Sequence, residues 1–159
     1  MSLTRLPLVP VAFVTALPFG PLGEEFGWRG YALPRMLAER GALTSAVIIG
    51  LIWTMWHVPL FWAPLGTTIS GSRVTWRAVG LYVVEIVSAS IILTWLYVGT
   101  GGSLWIAVAF HAALNAEMHR FVFEPFSDET SSRVTRATLA ILATVALVLS
   151  AWPGLSWRG

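Results

Sequence analysis

"LTSAVIIGLIWTMWHVPLFWAPL", residues 43–65, contains no charged side chain and a single histidine, His57. The hydrocarbon core of a bilayer takes about 20 apolar residues in helical form, so this stretch is long enough to cross one. An imidazole in the middle of such a run is costly unless it is paired or faces water. Pro59 has no N–H to give the carbonyl of Met55, so the helix is expected to kink there and open polar backbone beside His57.

Four more apolar stretches flank it: Leu6 to Leu22, Ala78 to Val98, Leu104 to Met118 and Ala137 to Trp152. The run from Ala78 is also long enough to span, whereas the one from Leu104 is short and carries His111 and Asn115, which suits the inside of a bundle. Across all 159 residues, 56% are hydrophobic and 11% charged, with a mean hydropathy of +0.72. Soluble domains carry roughly 25% charge, so this is the composition of an integral membrane protein. The N-terminal stretch is broken by Pro7, Pro10 and Pro18 and leads into more membrane sequence, so it reads as a first hydrophobic segment rather than a cleaved signal. The expected fold is all-α: a polytopic transmembrane bundle of about five to six helices, in one membrane-embedded domain over residues 1–159 with no internal repeat.

Composition also excludes several chemistries. The absence of Cys removes disulfides, thiolate nucleophiles and Cys-type zinc sites. The formal charge of +2 comes from arginines scattered over the segment ends, so no basic run tracks a phosphate backbone and no nucleic acid is expected as a partner. There is no Lys and no Gln, and Asn115 is the only Asn. Residues 66–73 and 99–103 read as a loop and a tight turn, and residues 119–133 as polar sequence outside the bilayer. Trp62, Trp76, Trp105, Trp152 and Trp157 lie near segment ends, as interface anchors do.

In so apolar a chain, the polar side chains carry the information. The stretch Glu24 to Arg40 alternates charges with apolar residues at close to helical spacing, with Gly41 as its C-cap and Phe26, Tyr31 and Leu33 as its packing face. Glu25 and Arg29 are four apart with the acid first, the favoured order for a pair on one helix face. Glu24 lies about 100° round the helix from Glu25, which leaves it without that partner and makes it a candidate base; a solvated interfacial helix end is the alternative. His57 could equally serve packing, and His111 and Asn115, one turn apart, could be interhelical glue. Together, a carboxylate, two histidines and an amide from three segments can activate a water and stabilise an oxyanion. They could also hold a zinc ion with an open position, although no H-E-x-x-H occurs.

The stretch "GEEFGWRGYALPRM", 23–36, resembles the first motif, E-E-x-x-x-R, of the CPBP family of CAAX proteases and bacteriocin-processing enzymes, which includes the type II CAAX prenyl endopeptidases. "WTMWHVPLF", 53–61, looks like its second motif, an aromatic four residues before a histidine, with Trp53 standing where Phe is commoner. "HAALN", 111–115, is similar to the third, H-x-x-x-N, and the motif core covers residues 21–116 in order. The resemblance implies an all-α intramembrane endopeptidase in which Glu24 activates water, Glu25 and Arg29 support it, and His57, His111 and Asn115 surround the water and the developing oxyanion. It leaves open a metal mechanism, with His57 and His111 as ligands of Zn2+, and a metal-free glutamate mechanism. Family members usually carry several helices ahead of the first motif. Here one precedes it, so a minimal or N-terminally shortened member is expected.

The implied substrate is a peptide or protein in the membrane, and the implied location a cell membrane, bacterial by the Arg-only composition. Two rivals keep the same residues: a non-catalytic protein of this fold acting in bacteriocin immunity or regulation, and a proton relay or small transporter. A relay would string Glu24, His57 and His111 along a channel; a hydrolase would gather them. Glu85 lies inside the Ala78–Val98 span and belongs to no motif, so packing or cavity lining are both open to it, while Glu117 and His119 read as interfacial. Ser88 and Ser90 lack a base in sequence, which leaves a serine mechanism little support.

Overall fold

The structure, a computed structural model, describes residues 20–62, 75–123 and 140–149, together with positions 10, 14, 15, 17, 18 and 151. About half of the first hydrophobic segment, the 66–73 loop, most of the 119–133 stretch, Trp152 and Trp157 therefore lie outside the described residues, as do the side chains of 116–123. All described elements are helical. Helix α1, Pro21–Gly27, runs into a π-helical turn, Trp28–Ala32, and then into α2, Leu33–Leu37. Helix α3 is Ala42–His57, followed by a 3₁₀ turn over Val58–Phe61; α4 is Trp76–Gly99, α5 Leu104–Phe123 and α6 Ala140–Leu149.

Two stretches, Ala42–Phe61 and Val79–Gly99, are long and apolar enough to cross a membrane. They match the sequence reading closely. Leu104–Asn115 is a shorter apolar helix, as its histidine and asparagine suggested, and Ala140–Leu149 falls within the last apolar stretch.

The α1–α2 region departs from the sequence reading, and its geometry explains why. Its buried residues are Pro21, Glu25, Arg29 and Leu33, each four after the last, while Phe26 and Tyr31 are 52% and 61% exposed. Of the three residues assigned to packing, only Leu33 is buried, although Phe26 meets the Trp105 ring edge-on at 6.3 Å. An α-helix overshoots one turn by about 40° every four residues, so a stripe at strict i+4 spacing would drift off the face. The π turn, in which the Leu33 N–H donates to the carbonyl of Trp28, widens the helix and holds the stripe together. Gly41 is likewise no C-cap: in an extended conformation it opens α3, its carbonyl accepting both the N–H and the hydroxyl of Ser45 at 3.0 and 3.1 Å.

Pro59 does not kink a continuing helix. The α-helix stops at His57, and the Met55 carbonyl that Pro59 could not serve accepts the N–H of Val58 instead. The open backbone expected beside His57 is thus closed by one 3₁₀ bond.

Helices α3 and α4 form the most extensive contact, and α1 and the π turn pack on α5. The α3–α4 crossing is tight at Gly50, where a Cβ would stand 2.8 Å from the Cα of Val87. Small residues let backbones approach where lipid offers no hydrophobic drive between helices. Trp53, Phe61, Tyr82, Ile86 and Leu93 form one core cluster. Ala46, Ile91 and Ile92 with Leu142 and Ala146 of α6 form another. Leu51, Ile52, Met55 and Trp56 face outward, exposed, as a bilayer-facing surface would be.

Candidate functional site

The buried stripe of α1 and the π turn delivers two charges into the bundle. Glu25 and Arg29 are both 0% exposed. Their ion pair is 3.0 Å from Nη1 to Oε1, and the same Oε1 accepts the Nδ1–H of His111 on α5 at 2.9 Å. A charge pair so deeply buried holds only when its remaining hydrogen-bonding capacity is used. Arg29 meets this in part with Nη2, which donates to the Ser90 hydroxyl on α4 at 3.1 Å; that hydroxyl in turn donates to the carbonyl of Ala46 on α3 at 2.8 Å, while Nε of Arg29 and Oε2 of Glu25 are buried with no hydrogen-bond partner among the described residues. One chain of hydrogen bonds therefore ties the α3 backbone, α4, the acid–base pair and the His111 ring into a fixed arrangement.

Glu24 points elsewhere. Its Oε2 accepts the indole N–H of Trp53 at 2.6 Å. The buried Trp53 ring is central to the site: the guanidinium of Arg29 lies 5.0 Å from its centroid, the His111 ring stands edge-on at 5.0 Å, and the His57 ring lies at 5.9 Å. The Trp53 carbonyl accepts from Nδ1 of His57 at 2.9 Å. A carbonyl only accepts, so His57 carries its hydrogen on Nδ1, and an ionised Glu25 imposes the same tautomer on His111. Neither histidine makes any further hydrogen bond among the described residues, which leaves Nε2 of each open.

Asn115 reaches the site beside Gly20. Gly20 has φ +126°, a region that favours glycine. A Cβ placed there would lie 3.0 Å from Oε1 of Glu24 and 3.5 Å from Nδ2 of Asn115. The glycine leaves room for both groups.

The structure thus gathers Glu24, Arg29, His57 and His111 around one indole, with Glu25 joined to Arg29 and His111 and Asn115 beside Glu24 at Gly20, instead of spacing them along a channel. A carboxylate oxygen, two open imidazole nitrogens and an amide donor are suited to polarising a water and to meeting negative charge on an attacked carbonyl. As a zinc site the fit is poor: no three His, Asp or Glu side chains converge among the described residues, and three protein ligands are what catalytic zinc uses.

Two residues of the site escape a motif reading. Ser90, set aside as a nucleophile, is instead the hydroxyl that anchors Arg29; its only sequence signal is its place among the small residues of "SASIILT", 88–94. Tyr82, buried on α4, stacks edge-on to His57 at 6.0 Å and to Phe61 at 5.7 Å, within electrostatic reach of Glu24 and Glu85. Glu85 is half-buried one turn further along and makes no hydrogen bond among the described residues. Glu117 and His119 fall among side chains outside the description.

Residues 6–116, more than half of the chain, match the model of a family described as Type II CAAX prenyl endopeptidase Rce1-like. The chain is 28% identical over 108 residues to CAAX prenyl protease 2 of Methanococcus maripaludis, a match that takes in 67% of this chain and 39% of that relative. The chain thus matches about two-fifths of the relative's length. No solved structure matches it.

Proposed function

The chain belongs to the Rce1-like family of type II CAAX prenyl endopeptidases, and from that premise we propose that it is an intramembrane endopeptidase that hydrolyses a peptide bond of a membrane-associated peptide or protein. The observation that carries this reading is the division of labour between adjacent carboxylates: Glu25 is fully buried, one oxygen shared by Arg29 and His111 and the other sealed from water, while Glu24 is half-buried and keeps Oε1 clear of both partners. A carboxylate with a free oxygen that water can reach is a base; one buried in an ion pair is a support.

In the proposed reaction, Oε1 of Glu24 takes a proton from water as the water oxygen bonds to the scissile carbonyl carbon. Asn115 Nδ2–H donates to the oxyanion that forms. The open Nε2 atoms of His57 and His111 accept hydrogen bonds from the water and so orient it. Collapse breaks the C–N bond, and Glu24 returns its proton to the leaving amine. The water becomes part of the new carboxylate. Glu25, Arg29 and Ser90 act through His111 by fixing its ring and tautomer. A Zn2+ ion would need His57 and His111 as ligands, and no step above passes through one.

The test is cleavage of a library of membrane peptides by the reconstituted chain in water enriched in oxygen-18, with and without a zinc chelator. The reading expects one heavy oxygen in each newly formed C-terminal carboxylate. No cleavage of any peptide would contradict it, and cleavage abolished by the chelator and restored by Zn2+ would replace the glutamate mechanism with a metal one.

A further inference from the structure

The two oxygens of Glu24 sit in unlike surroundings. Oε2 is held by the Trp53 indole at 2.6 Å, whereas Oε1 faces the space that Gly20 leaves empty beside Asn115. An indole N–H is a donor only, with no rotor of its own, so its direction is set wholly by the ring. That ring is 2% exposed and is clamped between the Arg29 guanidinium and the His111 edge. A hydrogen bond to a charged acceptor is short and roughly twice as strong as a neutral one, and 2.6 Å is just below the usual range for a nitrogen donor.

We infer that Trp53 is a positioning residue that assigns the roles of Glu24's two oxygens: its N–H pins Oε2, so that Oε1 alone is presented as the proton acceptor. A free carboxylate rotates about its last torsion with little preference and offers either oxygen. A half-turn merely exchanges the two oxygens, but intermediate rotations would leave neither of them beside Asn115, and the N–H holds the carboxylate plane against these. Phenylalanine at this position would keep the aromatic packing against Arg29 and His111 and lose the donor, so the effect belongs to the indole N–H. The inference rests on the reading of Glu24 as the base, and it adds Trp53 as a determinant of which atom performs that role.

The experiment uses the full chain in detergent with its indole nitrogens labelled with nitrogen-15. The Trp53 resonance is assigned by its loss in W53F and by its contacts with the His111 ring. It is expected downfield of the other indole protons and is expected to move upfield in Glu24→Ala. A Trp53 resonance indifferent to Glu24→Ala overturns the inference whether or not W53F folds. On cleavage, W53F is expected to lower kcat by between about 10- and 100-fold, the usual cost of a small misplacement, with KM within about twofold; an unchanged kcat overturns it. Should the parent chain cleave nothing, the endopeptidase reading falls, and the resonance still decides whether Trp53 holds Glu24.

Discussion

The guanidinium of Arg29 donates to the hydroxyl of Ser90 at 3.1 Å, and that hydroxyl donates onward to the carbonyl of Ala46 at 2.8 Å. A serine in the middle of an apolar span thereby joins the backbone of α3 to the charge pair that orients His111. Ser90→Ala leaves Nη2 of Arg29 with only the Ser90 carbonyl at 3.5 Å. Leaving a buried donor so poorly served costs about 1–3 kcal/mol, and thermal unfolding in detergent is expected to begin several degrees earlier. An unchanged melting temperature would mean that the hydroxyl carries no weight.

Arg29 is the partner that makes a buried Glu25 tolerable. Arg29→Met strands that carboxylate and is expected to cost about 3–5 kcal/mol. Replacing both charges, with Glu25→Leu added, is expected to recover most of that stability, because apolar replacements of buried pairs are often neutral. Cleavage should stay lost in the double variant, since Nδ1 of His111 then has no acceptor. Melting curves and cleavage assays on the two variants separate the stabilising role of the pair from its orienting role.

Gly50 sets the distance between α3 and α4. Its hydrogen faces Val87 so closely that an added Cβ would lie 2.8 Å from the Val87 Cα and 3.1 Å from the Ser90 Cβ. Gly50→Ala must push the helices apart, at a cost of about 1–3 kcal/mol for overpacking. The displacement falls on Ser90, so the same variant is expected to weaken cleavage. A fully stable and active Gly50→Ala would contradict the close crossing.

Tyr82 offers a ring to His57 and Phe61. Tyr82→Phe keeps that ring and is expected to leave stability within about 1.5 kcal/mol. Tyr82→Ala removes it, opens a cavity worth about 3–5 kcal/mol for an aromatic truncation, and frees His57 to reorient. Comparing the melting temperatures and kcat of the two variants tells packing apart from any role of the hydroxyl.

Much of this arrangement was legible in the sequence because membrane burial makes polar residues conspicuous. The spans around Ala42–Phe61 and Val79–Gly99 follow from uncharged length alone, and the Glu25–Arg29 pair from its i,i+4 spacing. The α1–α2 region misled for a physical reason. In lipid the outward face is as apolar as any core, so hydrophobicity does not choose the packing face. Phe26 and Tyr31 accordingly look outward, and the charges turn inward. The π turn left no mark because nothing in composition distinguishes "WRGYA" from ordinary helix. Ser90 was hidden by being small, and the hydrogen bond between Trp53 and Glu24 spans 29 residues that no local pattern relates.

The account turns on Glu24 acting as the base beside His57. The most direct measurement is the cleavage rate of a membrane peptide substrate by the reconstituted parent chain, Glu24→Gln and His57→Ala, with the melting temperature of each recorded. Loss of a positioned proton-transfer group costs about 10²- to 10⁴-fold, so both variants are expected to fall by at least the lower figure while unfolding within a few degrees of the parent. Cleavage at the parent's rate by a folded Glu24→Gln variant would contradict it.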